Sequence, residues 1–265
     1  MEKIRVIVNG GAGKMGRSIV KAIYGSEDLD LVGVADLLNQ GEDAGTVAGI
    51  SPLGIKITSD LERLLKESGA AVMIDFTSPL TVMDNIHAAL QHRVAPVVGT
   101  TGITGDNLEQ IKKWIEQYDT GAIIAPNFSL GAILLLKAAQ LCARYFQAVE
   151  IIELHHDEKL DSPSGTAINL ARHIYKAAGK QQPQKEALEK IPGTRGGNVD
   201  GIPIHSIRLP GMIAHHEVIF GDVGQVLTLR HDTMDRSSFM PGLFLAVRRA
   251  PANKKLIYGL EKLLD

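Results

Sequence analysis

The fold of this 265-residue chain is indicated most clearly by the segment Gly10-Gly11-Ala12-Gly13-Lys14-Met15-Gly16. It directly follows a β-branched run from Ile4 to Val8, which is typical of a buried strand, and it opens an amphipathic segment that ends at Tyr24. Glycines at such a turn let backbone N–H groups approach a pyrophosphate, and the helix that follows contributes partial positive charge at its N-terminus. The spacing fits G-x-G-x-x-G from Gly11, and glycines also stand at positions 10, 13 and 16.

The surroundings of this glycine loop favour a dinucleotide site over the alternative, a purely structural strand-to-helix turn. Asp36 follows the second predicted strand, Leu29 to Ala35, about 20 residues beyond the loop, where a carboxylate accepts a hydrogen bond from a ribose hydroxyl. A carboxylate favours NADH, whereas Arg or Lys favours the 2′-phosphate of NADPH. Leu37 follows Asp36 where a base would select NADPH, although Lys14 and Arg17 can reach a phosphate from the glycine-loop side.

Strands and helices alternate through the first 127 residues. Beyond the two strands already named, the pattern predicts strands at 71–76, 94–98 and 122–125, and helices at 59–66, 80–92 and 104–118. Alternation at this pitch predicts an α/β fold with a doubly wound parallel Rossmann-type sheet that is covered on both faces.

The pattern changes at about residue 128. It then predicts a long apolar helix at 129–146, a strand at 149–155, a helix at 164–178 and a polar loop or lid at 180–200. Strands in succession at 202–209, 215–221 and 225–232 indicate a second α+β domain with a mixed sheet. The tail from 237 to 264 is predicted to be helical, and the pattern alone leaves open whether it rejoins the first domain.

Composition and charge exclude several classes of protein. Lys plus Arg amount to 28 and Asp plus Glu to 30, a formal net charge of −2, which argues against nucleic acid or an anionic membrane as a partner. The single cysteine, Cys142, excludes an intrachain disulfide. The most apolar helical stretch is too short to span a bilayer, and the N-terminus has no signal-peptide pattern, so we expect a cytosolic protein.

Small and hydroxylated residues follow three of the predicted strands. In a doubly wound sheet, ligands bind outside the carboxyl ends of the strands, so these residues are candidates to line a nicotinamide and a substrate. Turn chemistry, which uses the same residue types, is the alternative for each one alone. The segments are Phe76-Thr77-Ser78-Pro79, Gly99-Thr100-Thr101-Gly102 and Pro126-Asn127-Phe128-Ser129.

The most informative segment is Glu153-Leu154-His155-His156-Asp157-Glu158-Lys159-Leu160-Asp161-Ser162-Pro163-Ser164-Gly165-Thr166-Ala167. It predicts a strand, a loop and a helix that begins near Ser164. Histidine is the usual proton donor near neutral pH, and Lys159 adds a fixed positive charge. Free N–H groups around Ser164, Gly165 and Thr166 at the start of a helix suit a carboxylate or a phosphate.

Two other interpretations of this segment compete with a catalytic one. A metal site is disfavoured because His155, His156, Asp157 and Asp161 lack the spacing of known zinc motifs, so no metal is predicted. Ser164 could instead be an ordinary N-cap beside surface histidines. Consecutive strand residues point to opposite faces, so His155 and His156 share a site only if the strand ends there. For the second pair, His215-His216, a structural or interface role is the better interpretation.

Together these motifs resemble the 4-hydroxy-tetrahydrodipicolinate reductases, also called dihydrodipicolinate reductases, of bacterial lysine and diaminopimelate biosynthesis. The resemblance covers essentially the whole chain, and its most specific element is the segment from Glu153 to Ala167. It implies a cytoplasmic homotetramer. It further implies that residues 1–127 together with 237–265 bind the dinucleotide, and that residues 128–236 bind the substrate and form the oligomer.

The resemblance also implies the reaction and the roles of individual residues. The substrate is a small cyclic dicarboxylate made from pyruvate and aspartate semialdehyde; after loss of water, hydride goes to ring C4 and a proton to C3. His155 is then the general acid candidate and Lys159 its cationic partner. Implied substrate contacts are His156, Ser164, Gly165, Thr166 and Thr101; implied contacts to NADH or NADPH are Gly10, Gly13, Lys14, Met15, Asp36, Phe76, Thr77, Gly99, Thr101 and Asn127.

Leu37 departs from members of the family that place a base after the ribose-binding acid, so we expect use of both dinucleotides with NADH preferred. Two alternative functions remain. One is another two-domain NAD(P)-dependent dehydrogenase of a small amino or keto acid, which would not need the segment from His155 to Thr166. The other is a non-catalytic NAD(P)H sensor, which would bind the dinucleotide without turnover.

Overall fold

The computed structural model describes residues 2–179 and 188–264. The chain divides into two compact units, Met1–Ser129 with Phe239–Asp265, and Leu130–Ser238. In chain order the strands are β1 (Ile4–Asn9), β2 (Leu29–Ala35), β3 (Ile57–Thr58), β4 (Val72–Asp75), β5 (Ala95–Val98), β6 (Ala122–Ile124), β7 (Ala148–His155), β8 (Gly197–Val199), β9 (Ile202–Arg208), β10 (Ala214–Asp222), β11 (Gln225–Thr233) and β12 (Leu256–Tyr258). The α-helices are α1 (Lys14–Tyr24), α2 (Ala44–Ala48), α3 (Leu61–Glu67), α4 (Val82–Gln91), α5 (Gly105–Tyr118), α6 (Leu130–Cys142), α7 (Gly165–Ala178) and α8 (Met240–Arg249).

The first unit is built on a seven-stranded sheet in the order β12-β6-β5-β4-β1-β2-β3. Its paired strands all run parallel. Every residue of β4 and β5 is buried, which requires cover on both faces of the sheet. The strand order reverses between β1 and β4, the place where sheets of this kind bind ligands. The predicted doubly wound parallel sheet is confirmed.

The tail of the chain differs from its prediction. The sequence pattern predicts helix throughout, yet after α8 the chain forms β12, which pairs in parallel with β6. A strand of three residues is too short for a period of two to show in the sequence. β3 has two residues and α2 has five, so each is likewise too short to show a pattern in the sequence.

The second unit is built on a five-stranded sheet in the order β11-β10-β7-β9-β8. β7 and β9 run parallel and the other pairs run antiparallel, so the predicted mixed sheet is confirmed. Helices α6 and α7 pack on one face through a buried apolar cluster that contains Leu136, Ile151, Ile174, Val218 and Phe220. We call this the covered face and the opposite one the open face.

The predicted loop or lid at 180–200 falls partly outside the described residues, which omit 180–187. Its far end is not a simple loop, because Gly197–Val199 form β8 at the edge of the sheet. Within the part of the chain that the structure describes, no helix is long and apolar enough to cross a membrane.

Candidate active site

The glycine loop brings backbone into unusually close contact at the strand-order reversal. Gly10 has φ +83°, and its N–H donates to the carbonyl of Ala35 at 2.9 Å. A Cβ at Gly10 would lie 2.5 Å from the carbonyl oxygen of Phe76, and one at Gly16 would lie 2.1 Å from that of Gly10. Only glycine fits at both positions. Gly13 caps α1 without a side-chain hydrogen bond, which leaves the first N–H groups of that helix for a ligand.

Asp36 joins the end of β2 to this loop. Its Oδ2 accepts from the N–H of Ala12 at 2.8 Å, and its Oδ1 accepts from the N–H of Leu38 at 2.9 Å. Each oxygen keeps a further lone pair for a hydroxyl. Leu37 is 76% exposed beside this carboxylate, so the position after the acid is an open apolar surface.

The first turns of α1 carry the other residues predicted near the loop. Lys14 is exposed and Met15 is half-buried. Arg17 is exposed as well, and its Nε donates to the carbonyl of Ala12 at 2.7 Å. This bond anchors the guanidinium to the glycine loop and leaves its two terminal nitrogens to reach a phosphate.

The carboxyl ends of β1, β4 and β5 are tied together by the buried carboxylate of Asp75. It accepts hydrogen bonds from Asn9 at 2.9 Å, Asn85 at 2.8 Å and the Thr100 hydroxyl at 2.7 Å. The Thr77 hydroxyl donates to the same carboxylate at 2.9 Å. The predicted site residue Thr77 is therefore held in place by Asp75, which the sequence reasoning did not select.

The remaining residues predicted near the nicotinamide follow the carboxyl ends of β4, β5 and β6. A Cβ at Gly99 would lie 2.2 Å from the ring of Phe76, so a side chain there would displace the phenyl group. The Phe76 and Phe128 rings are 5.9 Å apart. Asn127 accepts from the Ser129 N–H at 2.9 Å, and Thr101 is exposed.

In the second unit, β7 ends at His155, so His156 lies outside the strand. His155 is buried and His156 is exposed. The Nδ1 of His155 faces the carboxylate of Glu153, with which it forms a hydrogen bond. Residues two apart on a strand share a face, which places both on the covered face, where the register pairs Glu153 with His216 and His155 with Arg208.

Glu153 is fully buried and is held from several sides. Arg208 forms a bidentate pair with it, at 3.0 and 2.8 Å, and the N–H of Ser164 donates to it at 3.3 Å. Burial alone would raise the pKa of Glu153, yet the hydrogen bonds from His155 and Arg208 outweigh it and hold that pKa well below its usual range. Glu153 is therefore a carboxylate at neutral pH.

The segment between β7 and α7 presents the other predicted residues. The hydroxyl of Ser164 caps α7 by accepting from the N–H of Ala167 at 3.2 Å. Gly165 and Thr166 are exposed in the first turn, where N–H groups lack intrahelical acceptors. The ammonium of Lys159 pairs with Asp161 at 2.6 Å.

His216, for which the sequence favours a structural or interface role, lies beside the segment that carries His155 and Ser164. Its Nε2 lies 3.4 Å from the Ser164 hydroxyl, and its ring meets the ring of His155 edge-on at 5.5 Å. Burial, together with the nearby charge of His155, lowers the pKa of His216 to about 4, so its imidazole is neutral at pH 7. His215 points to the open face and pairs with Asp232 at 2.7 Å.

The local sequence pattern by itself assigns no role to Glu153 or Arg208, and it does not bring His216 into this cluster. The signal for Glu153 was its position two residues before His155 on a strand. Arg208 and His216 carried no local signal, because strand register brings them to β7 from positions more than 50 residues away. Among the described residues, no group of three or more His, Cys, Asp or Glu side chains is arranged to hold a metal ion.

The glycine loop at the reversal of a parallel sheet, with a buried carboxylate–histidine pair in a second unit, defines a dinucleotide-dependent oxidoreductase. Family profiles identify one family within this class. The profile "Dihydrodipicolinate reductase, N-terminus" matches residues 4–128, and "Dihydrodipicolinate reductase, C-terminus" matches residues 131–264. The chain belongs to the dihydrodipicolinate reductase family, whose cofactor is NADH or NADPH.

Individual members of the family match this chain over 98% to 100% of its length. A 4-hydroxy-tetrahydrodipicolinate reductase of Desulfitobacterium hafniense is 51% identical over 267 residues, covering 100% of both chains. One from Gloeothece citriformis is 52% identical over 269 residues and 98% of both chains. A dipicolinate-bound dihydrodipicolinate reductase from a Paenisporosarcina species superposes with a TM-score of 0.88 at 42% identity, over 98% of this chain and 99% of that one.

Proposed function

We propose that this protein reduces 4-hydroxy-tetrahydrodipicolinate to tetrahydrodipicolinate with NADH or NADPH, a step of lysine and diaminopimelate biosynthesis. The observation that carries the proposal is the buried Glu153–His155 pair beside the open first turn of α7. This arrangement supports a proton donor next to an anion site, in a chain whose relatives carry this name. The dipicolinate bound by the Paenisporosarcina protein supports a small planar dicarboxylate as the substrate.

The second unit offers two kinds of group to a dicarboxylate. The N–H groups of Gly165 and Thr166 and the Ser164 hydroxyl suit one carboxylate, because the start of α7 also carries partial positive charge. Lys159 and His156 lie on the preceding loop and supply charge and a donor for the other end of the substrate. These assignments are binding roles.

His155 is proposed as the general acid. Because its Nδ1 faces Glu153, Nε2 is the atom that gives up a proton. After the substrate has lost water, hydride adds to ring C4 and the electron pair that develops at C3 takes the proton from His155. Glu153 stabilises the imidazolium before transfer, and Lys159 stabilises the negative charge of the substrate.

The residues of the first unit fit a dinucleotide, which supplies the hydride when bound. The close contacts at Gly10 and Gly16 and the uncapped start of α1 suit a pyrophosphate, with Gly13, Lys14 and Met15 around it. Asp36 retains lone pairs for a ribose hydroxyl. We assign the nicotinamide to Phe76, Thr77, Gly99, Thr101 and Asn127, because these residues follow the carboxyl ends of the neighbouring parallel strands β4, β5 and β6.

The exposed Leu37 beside Asp36 favours use of both dinucleotides with NADH preferred. Michaelis constants measured for the two nucleotides in the same preparation test this. A KM for NADPH far below that for NADH would overturn it. In a separate test, Leu37→Arg is expected to lower the KM for NADPH by about tenfold, because a guanidinium can pair with the 2′-phosphate.

We assign dinucleotide binding to residues 1–127 with 237–265, and substrate binding and oligomerisation to residues 128–236. A homotetramer is supported by the open face of the second sheet, where Ile152, Leu154, Ile207 and Ile219 are only partly buried or exposed. A biosynthetic enzyme of this kind is expected in the cytoplasm. Light scattering that gave a monomer at micromolar concentration would contradict the tetramer.

The reductase activity is tested by following NAD(P)H absorbance while a synthase makes the unstable substrate from pyruvate and aspartate semialdehyde. We expect rapid oxidation that depends on the synthase. Oxidation of an unrelated amino or keto acid pair instead would indicate another dehydrogenase. Tight NADH binding without any turnover would indicate a sensor.

A further inference from the structure

We propose that Glu153 and Arg208 are a positioning pair that sets the orientation and the proton affinity of His155. The inference rests on the proposed function, because it concerns the group assigned there as the general acid. Neither side chain is placed against the substrate. They act through His155 and through the loop that carries Lys159.

Strand register brings the pair together. Glu153 and His155 share the covered face of β7, and Arg208 is the register partner of His155 on the parallel strand β9. The guanidinium therefore lies beside His155 while its two terminal nitrogens bond the carboxylate of Glu153 at 3.0 and 2.8 Å. The Glu153 side chain is 0% exposed and that of Arg208 is 18% exposed, so water screens their charges weakly.

The two charges act on His155 in opposite directions. The Glu153 carboxylate accepts from Nδ1, so it fixes the ring and favours the protonated imidazole. The Arg208 cation beside the same carboxylate disfavours that protonated form. Removal of one charge should therefore change the proton affinity of His155 in the opposite sense from removal of the other.

Arg208 has a second set of contacts that Glu153 lacks. Its Nε donates to the carbonyl of Lys159 at 3.3 Å, and its Nη2 donates to the carbonyl of Asp161 at 2.7 Å. These bonds tie the loop after β7 to the same guanidinium that binds Glu153. A lysine cannot make all of them, because an ammonium lacks the planar fork of donors.

The test is the titration of His155 in Glu153→Gln and Arg208→Met, followed by NMR with the signal assigned from His155→Gln. The pH dependence of kcat/KM is measured in parallel. We expect Glu153→Gln to move the His155 titration, and the high-pH loss of activity, to lower pH by about 1 to 3 units. Arg208→Met should move both to higher pH by about 1 unit.

Arg208→Lys separates charge from geometry. It keeps the cation, so the titration of His155 should stay near that of the native protein. It loses the fork that binds the loop carbonyls, so KM for the substrate should rise by about tenfold. Should Glu153→Gln fail to fold, the contrast between Arg208→Met and Arg208→Lys decides the question.

The control is Glu150→Gln, on the same strand but on its open face, where Glu150 binds His205 and Arg195. It should leave the titration of His155 unmoved. Shifts of the same sign in Glu153→Gln and Arg208→Met, or no shift in either, would overturn the positioning pair. Absence of turnover in the native protein would overturn the proposed function alone, because the NMR titration does not need activity.

Discussion

Strand β7 carries a carboxylate on each face, and each carboxylate binds one histidine and one arginine. On the covered face Glu153 bonds His155 and Arg208; on the open face Glu150 bonds His205 at 2.8 Å and also Arg195. The side chain of Glu153 is 0% exposed, whereas that of Glu150 is 35% exposed. The same three residue types therefore form two clusters that differ mainly in their access to water.

This difference decides what each cluster can do. Glu153 has its oxygens filled by protein donors, so its partners are held in a single geometry and their charges interact strongly. Around Glu150 water competes for the same donors and screens the charges. Burial would raise the pKa of either carboxyl, and in both cases hydrogen bonds from the histidine and the arginine lower it instead. We therefore expect chemistry on the covered face and an ion cluster of small energetic weight on the open face.

The largest expected contrast between the faces is in activity. His155→Gln should lower kcat by about 100- to 10,000-fold, because it removes the proposed proton donor. His205→Gln should stay within about twofold of the native kcat, since it removes only an exposed ion-pair partner. NADH binding measured by fluorescence should be unchanged in both. Equal loss of kcat in the two variants would contradict the assignment of chemistry to the covered face alone.

The next contrast is in stability at pH 7. Glu153→Gln should cost about 3 to 5 kcal/mol of unfolding free energy, because the Arg208 guanidinium loses its buried anionic partner. Glu150→Gln should cost less than about 1 kcal/mol, as exposed pairs usually do. Urea unfolding of both variants measures this. A cost of 3 kcal/mol or more for Glu150→Gln would show that the open face is as protected as the covered one.

At acid pH the two clusters should differ by a smaller amount of unfolding free energy. The folded pKa of Glu153 lies below its ordinary value of 4.5, so its stabilisation is complete above that pH and is lost as the pH falls further. Between about pH 5 and pH 2.5 the native protein should lose about 2 to 3 kcal/mol through this group. Glu153→Gln should flatten that part of the curve of unfolding free energy against pH, and Glu150→Gln should change it little. A native curve that is flat below pH 5 would contradict the assigned pKa direction.

How much of this could be predicted from the sequence depends on the distance over which each feature is encoded. Alternating strands and helices predicted the parallel sheet, and the strand–loop–helix segment predicted a strand that runs to His155 and a helix that begins near Ser164. These are local patterns. The pairing of Glu153 with Arg208 depends on the register of β7 against β9, which no local pattern contains. The three-residue β12 was missed because its strand signal is too short.

The smallest expected effect concerns the open face as an assembly surface. Ile152 lies in the middle strand of the second sheet, opposite Glu217 on one side and His205 on the other, and it is only half-buried. If this face joins protomers, Ile152→Asp would bury an unpaired carboxylate at the contact and weaken association by about 1 to 3 kcal/mol, or about 5- to 150-fold in the dissociation constant.

The control for this variant is Leu188→Asp, which adds the same charge at a 93% exposed apolar residue of the same unit, outside its strands. Sedimentation over a range of concentrations should show a shift to smaller species for Ile152→Asp and none for Leu188→Asp. Because Ile152 points away from His155, the pH at which kcat/KM falls should not move in either variant. An unchanged mass for Ile152→Asp would remove assembly from the open face and leave the two sides of β7 distinguished by chemistry alone.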